Sequence, residues 1–217
     1  MPRIGAIIIG QSPRPDLVKP LQKANSLFQY IESGALDFVQ PQDIPHDTTA
    51  EYLLTTRLRD GTLVEVSEAF LAPLLQKAIA TVEKQDVNMS VLLCAGPFDM
   101  LKSTKPLYRP TAMVTTILEI RGFQRIAVLS PSQTQAIPIH RKWLQRGFQP
   151  TVLVDPQLPP VELAAWIREQ LIYQHNDCLI LDYVGHPLDK VQTLEQLLPL
   201  PVIDLGKVIT DMLRHQM

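Results

Sequence analysis

Val91-Leu92-Leu93-Cys94-Ala95-Gly96-Pro97 has a counterpart further along the chain, Leu179-Ile180-Leu181-Asp182-Tyr183-Val184-Gly185-His186-Pro187. Each is an apolar run that meets a reactive type of side chain, then a small or apolar residue and a glycine, with a proline close behind. A continuous apolar run of this kind is the pattern of a strand buried on both faces, as in a parallel sheet covered by helices. In such proteins ligands bind outside the carboxyl ends of the strands. The echo predicts two related halves, with Cys94 and Tyr183 at matching strand ends and facing one another.

On either side of these two segments, strand-like and helix-like stretches alternate along the chain. Residues 4–9 form an apolar run of the same buried type, and Leu17, Leu21, Ala24, Phe28 and Ile31 follow at helical spacing. Pro20 must sit in the first turn of that helix or kink it. A short strand is expected at 35–39, a loop at 41–45, a largely helical stretch at 63–84 with a break at Pro73, and a strand at 89–94. The second half repeats the scheme. It has a helix at 111–120 and a strand at 125–130, then a helix opened by a Ser132/Gln135 capping box and ending near Arg146-Gly147. A strand at 151–154, a helix opened by Pro159-Pro160, a strand at 178–183, a short strand at 202–205 and a terminal helix complete it. The fold class is α/β, with two lobes that are each a mostly parallel sheet flanked by helices. Lobe one is expected to hold residues 1–108 plus 198–217, and lobe two residues 109–197.

Composition narrows the function classes. Of 217 residues, 46% are apolar and 19% charged, the balance of a globular chain with a proper core. A net charge of −2 gives no electrostatic footprint for a polyanion, so neither nucleic acid nor a membrane surface is expected as a partner. No secretory signal pattern and no run of about 20 apolar residues is visible. Two cysteines are too few for a disulfide scaffold, which makes a reducing cytoplasm the expected setting. With no CxxC, no HExxH and five scattered histidines, no metal site is expected. A homo-oligomer is left open.

Several side chains could carry chemistry. Gly10-Gln11-Ser12-Pro13-Arg14-Pro15-Asp16 is a polar loop entering a helix, where backbone N–H groups and the helix dipole favour an anion. Gln11 and Ser12 add donors, and Arg14 could fork onto a carboxylate. The plainer alternative is a loop with a Ser or Asp helix cap. Arg57 and Arg59, two apart on an extended backbone, share a side and could clamp an anion; equally, one could pair with Asp60. Cys94 is an inert small hydrophobe unless a helix N-terminus or cation lowers its pKa. Cys178 opens its strand and is expected to be structural. Tyr183 can donate a proton or hydrogen-bond an oxyanion, and His186 could tune a thiol or shuttle a proton.

Five of these stretches fall in the order and spacing of a known family. Ile9-Gly10-Gln11-Ser12-Pro13-Arg14-Pro15-Asp16, Gly34-Ala35-Leu36-Asp37, Thr56-Arg57-Leu58-Arg59-Asp60-Gly61, Leu93-Cys94-Ala95-Gly96 and Leu181-Asp182-Tyr183-Val184-Gly185 resemble the AroM family across essentially the whole chain. That family resembles the aspartate/glutamate/hydantoin racemase superfamily. The resemblance implies two pseudo-symmetric lobes with the ligand in a cleft between them. It also implies cofactor-independent chemistry with a cysteine at one strand end of each lobe, one removing the proton α to a carboxylate and the other returning one. Two departures stand out. The first motif reads Cys-Thr-Gly in the family and Cys94-Ala95-Gly96 here, and the second reads Asp-Cys-x-Gly there and Asp182-Tyr183-Val184-Gly185 here. The absent second thiol counts against a two-thiol racemisation.

Two functions follow from the resemblance. One is a cofactor-independent isomerase- or lyase-type enzyme on a small carboxylic acid. Cys94 would be base or proton donor, Tyr183 and His186 acid, shuttle or oxyanion donor. Gln11, Ser12, Arg14, Arg57 and the backbone at Ala95-Gly96 and Val184-Gly185 would hold substrate. The other is a non-catalytic carboxylate binder that has kept the fold and lost the chemistry.

Overall fold

The computed structural model describes residues 1–45 and 52–215. The chain divides into two units, Met1–Ala112 with Ile209–Met217, and Met113–Val208. In the first, β1 (Arg3–Ile8), α1 (Pro15–Ala24) and β2 (Gln29–Gly34) are followed by a 3-10 turn at Pro41–Asp43. An antiparallel hairpin of β3 (Leu53–Arg57) and β4 (Leu63–Ser67) leads into α2 (Glu68–Glu83), β5 (Met89–Leu92) and β6 (Leu107–Tyr108). Then α3 (Pro110–Arg121) leads into the second unit: β7 (Arg125–Ser130), α4 (Gln133–Gln145), β8 (Gln149–Val154), α5 (Pro160–Leu171), β9 (Cys178–Leu181), α6 (Leu188–Leu197) and β10 (Val202–Asp204). The last helix, α7 (Leu205–Arg214), ends the described chain.

The two four-stranded sheets are parallel throughout and share one topology. The first has the order β2-β1-β5-β6 and the second β8-β7-β9-β10. Each therefore reads second, first, third, fourth in order of appearance, with the β3–β4 hairpin as an insertion in the first. The apolar runs explain why: β7 is buried from Ile126 to Ser130 and β9 along its whole length. A strand covered on both faces by helices contributes about 1.5–3 kcal/mol for each large apolar side chain it buries. The first core gathers Ile7, Leu54, Leu71, Leu75, Ile79 and Leu92 between sheet, hairpin and α2. The second gathers Leu129, Leu163, Ile167, Leu181, Val191 and Leu194 between sheet, α5 and α6. No helix among the described residues is long and apolar enough to cross a membrane.

Several local expectations differ from the structure. The helix after residue 15 stops at Ala24, and Ile31 lies in a strand. Asn25 ends the helix: its side-chain oxygen accepts the Leu27 N–H at 3.0 Å, a local turn that competes with further helix. Residues 35–38 are turn rather than strand. Residues 63–67 are strand β4, and α2 starts only after Ser67, whose hydroxyl caps the Phe70 N–H at 3.3 Å. Pro73 lies inside α2, which runs on past it as one helix. Ser132 stands at the N-cap of α4 but makes no side-chain cap bond; its hydroxyl lies 3.0 Å from that of Thr134. The expected capping box is not formed.

The division of the chain also differs from the expected 1–108 plus 198–217 against 109–197. β10 hydrogen-bonds to β9 in register, with Ile203 opposite Ile180, so the last strand belongs to the second sheet. The unit boundaries fall within α3 and α7, at residues 112–113 and 208–209.

Candidate functional site

The register of the two sheets tests the echo directly. Leu92 pairs with Ile7 in the first sheet and Leu181 with Leu129 in the second, each opposite the penultimate residue of the neighbouring first strand. One residue on, the Leu93 N–H donates to the Ile7 carbonyl at 2.8 Å and the Asp182 N–H to the Leu129 carbonyl at 3.1 Å. Cys94 and Tyr183 are next. They hold the same position, one step past the last ladder bond at the carboxyl end of the third strand.

At the first end, Cys94 is buried, 5% exposed, and its sulfur accepts the Gly96 N–H at 3.2 Å. That contact is a weak hydrogen bond to sulfur within the chain's own turn. The turn needs glycine at 96, because a Cβ there would meet the Phe98 ring at 2.6 Å. Thr111, in the first turn of α3, donates its hydroxyl to the Ala95 carbonyl at 2.9 Å and steadies the loop. Cys178 differs in kind. It is wholly buried at the start of β9, and desolvation pushes its thiol up to about 12. It stays a neutral core side chain, as the sequence suggested.

At the second end, Tyr183 is 39% exposed and meets the His186 ring edge to face, with centroids 5.3 Å apart. His186 Nδ1 lies 2.8 Å from a carboxylate oxygen of buried Asp204. Gly185 turns the loop at a φ of 124°, a conformation suited to glycine. Asp182 points the other way, into the core. It accepts from Lys142 Nζ at 2.7 Å and Trp143 Nε1 at 2.8 Å, and both charged side chains are sealed from solvent.

The N-terminal loop is built differently from the expected anion cradle. The Gln11 amide nitrogen donates to the Leu36 and Val39 carbonyls at 3.1 and 3.3 Å, while its oxygen accepts the Arg59 N–H at 2.8 Å. The Ser12 N–H donates to Asp37 at 2.7 Å, and its hydroxyl lies 3.0 and 2.8 Å from the two Asp37 oxygens. Arg14, 8% exposed, does fork onto a carboxylate, but it is the chain's own Asp16, at 2.8 and 2.6 Å. That fork holds the Asp16 carboxyl below its ordinary range, with Arg57 close enough to add to the effect. Arg57 is exposed at the end of β3, and its carbonyl accepts the Gln11 N–H at 3.2 Å. Arg59 turns to the Ser12 carbonyl at 2.8 Å and to Asp37, while Asp60 accepts the Thr62 N–H within its own turn. Asp37, Asp204 and Thr111 are the partners that sequence reasoning did not single out. Asp37 alone had a signal, since it ends the Gly34-Ala35-Leu36-Asp37 stretch.

Paired parallel α/β units of one shared topology define a fold, one found in solved racemases, isomerases and decarboxylases. The chain is similar over its whole length to a crystal structure of arylmalonate decarboxylase (TM-score 0.66, 16% identity, covering 100% of this chain and 94% of that one). It is similar to the maleate isomerase Iso from Pseudomonas putida S16 (TM-score 0.67, 14% identity, 98% and 91% covered). Allantoin racemase from Klebsiella pneumoniae gives a TM-score of 0.63 at 14% identity, with 98% and 86% covered. At such identities the likeness establishes the fold alone. No curated protein matches the sequence. The chain belongs to the AroM family, whose model, described as AroM protein, matches residues 4–215.

Proposed function

We propose that this protein is a cofactor-independent enzyme that moves a proton at the carbon α to the carboxylate of a small carboxylic acid, with Cys94 as the proton-transfer group. The observation that carries this reading is the Gly96 N–H aimed at the Cys94 sulfur at 3.2 Å, at a strand end where α/β proteins bind ligands. As a thiolate, Cys94 would take the α-proton and leave the electron pair delocalised onto the carboxylate oxygens. Returned to the same carbon, the proton completes an exchange; returned elsewhere, it completes an isomerisation. In the decarboxylation of a substituted malonic acid, carbon dioxide leaves its bonding electrons on the α-carbon, and the thiol supplies the proton. Tyr183 serves as acid or oxyanion donor at the matching position of the second sheet, and His186 shuttles the proton through its imidazole. Arg57 and the backbone at Ala95-Gly96 and Val184-Gly185 are the proposed carboxylate holders. Gln11, whose N–H holds the Arg57 carbonyl, frames Arg57, while Ser12 and Arg14 are already partnered within the chain by Asp37 and Asp16.

The test is deuterium incorporation in heavy water with a panel of amino, hydroxy and substituted malonic acids. Deuterium should appear at the α-carbon, and Cys94→Ala should lower the rate by about 10²-fold to 10⁴-fold. Alkylation at neutral pH should mark Cys94 in the native protein and reach Cys178 only after unfolding. Exchange that persists in Cys94→Ala removes the assigned role. Thermal stabilisation by one of these acids with no exchange for any of them identifies a non-catalytic carboxylate binder instead.

A further inference from the structure

We infer that Asp204 is a positioning residue that fixes His186 as the Nδ1–H tautomer and so presents Nε2 as a proton acceptor in the Tyr183 loop. The inference rests on reading that loop as part of the site. Asp204 ends β10 and is 3% exposed, and its two oxygens serve two different elements. One accepts the Lys207 N–H at 2.6 Å, in the first turn of α7. The other lies 2.8 Å from His186 Nδ1. An ionised carboxylate only accepts, so Nδ1 must carry the hydrogen. In the neutral ring Nε2 is then left with its lone pair, the arrangement a general base requires.

The surroundings fix the ring as well as the tautomer. The His186 side chain is 8% exposed, and its ring is braced edge to face against Tyr183. The first turn of α7 lies against the loop at Gly206. A Cβ there would lie 3.2 Å from the Asp204 oxygen and 3.5 Å from the Gly185 nitrogen. The matching helix start in the first unit grips its loop through Thr111 on the Ala95 carbonyl, a contact that fixes backbone and no titratable ring. Among the described residues, the contact that joins a helix start to a histidine is the one in the second unit.

The experiment is long-range ¹H–¹⁵N correlation of the histidine rings in ¹⁵N-labelled protein, with His186 assigned from the spectrum of His186→Gln. At a pH where the ring is neutral, His186 should show the Nδ1–H pattern. In Asp204→Asn the single side-chain oxygen remains as the cap for Lys207 N–H, because asparagine caps helices well, and the amide nitrogen faces the ring. The pattern should then switch to Nε2–H. Nε2–H in the native protein, or an unchanged pattern in Asp204→Asn, overturns the inference. If Asp204→Asn fails to fold, the native tautomer alone decides. The spectrum needs no substrate, so absence of exchange activity counts against the proposed reaction and leaves this result standing. Where exchange is measurable, Asp204→Asn should lower kcat by about 10²-fold to 10⁴-fold with little change in KM. A merely structural role would not separate the two constants in that way.

Discussion

Asp182 and Leu93 occupy the same register position in the two sheets, yet one is half of a buried ion pair and the other a leucine. Burying two charges costs desolvation that the attraction between them only roughly offsets, so the pair itself adds little. Breaking it is another matter. Asp182→Ala removes a carboxylate acceptor from Lys142 and Trp143 in a site with no solvent and should destabilise the protein by roughly 3–5 kcal/mol. Because Leu93 shows that a leucine fits this position in the shared topology, Asp182→Leu with Lys142→Met should recover most of that loss. About 1–3 kcal/mol should remain for the Trp143 N–H, which loses its acceptor. Urea unfolding of the double-mutant cycle measures this, and a double variant no more stable than Asp182→Ala contradicts it. The sequence showed Asp182 beside Tyr183 but not its direction. Its partners stand 40 and 39 residues earlier, on a helix where a lysine would ordinarily face water. The same lesson applies to Gln11 and Ser12. Their donors were legible, but which acceptors the fold would bring to them was not.

Elements with long single-period patterns were readable, and the failures lie where two periods run together. Leu63, Val64 and Val66 merge with Phe70 and Leu71 into one apolar stretch, so strand β4 read as the front of α2. The alternation of Val64 and Val66 around Glu65, together with the Asp60-Gly61 turn, was the available hairpin signal. The hairpin matters because β3 carries Arg57 and ties to the β1 loop through the Gln11 N–H. That approach is close enough to require glycine at position 10: a Cβ there would run into the Arg57 carbonyl oxygen and the Thr56 hydroxyl. Neither is the free end of a flexible side chain, so the hairpin must move. Gly10→Ala should cost about 1–3 kcal/mol and speed amide exchange across β3 and β4 more than across β7 and β9. Uniform loss of protection, or unchanged stability, would show that the hairpin is not anchored there.

At the level of the whole chain, the repeat of two halves was legible because buried parallel strands leave long apolar runs, and the two third strands carry matching ends. The limits of the halves were not. The fourth strands are short, Leu107–Tyr108 and Val202–Asp204, and nothing in a run of two or three residues says which sheet it joins. Both are followed by helices, α3 and α7, that straddle the unit boundaries. The shared topology nevertheless sharpens the functional argument, because it makes Tyr183 the structural counterpart of Cys94 rather than a neighbour of similar sequence. On the proposed mechanism, a chain with one thiol delivers a proton to one face of the α-carbon and yields one enantiomer from a prochiral malonic acid. Tyr183→Cys places a second thiol at the matching register position of the second sheet. It should convert that product to a mixture approaching equal enantiomers, and Cys94→Ala in the same background should return it to a single one at a reduced rate. Chiral chromatography of the product reads the outcome. An unchanged enantiomeric ratio in Tyr183→Cys, with decarboxylation intact, would mean that the two strand ends match in fold but do not share the chemistry.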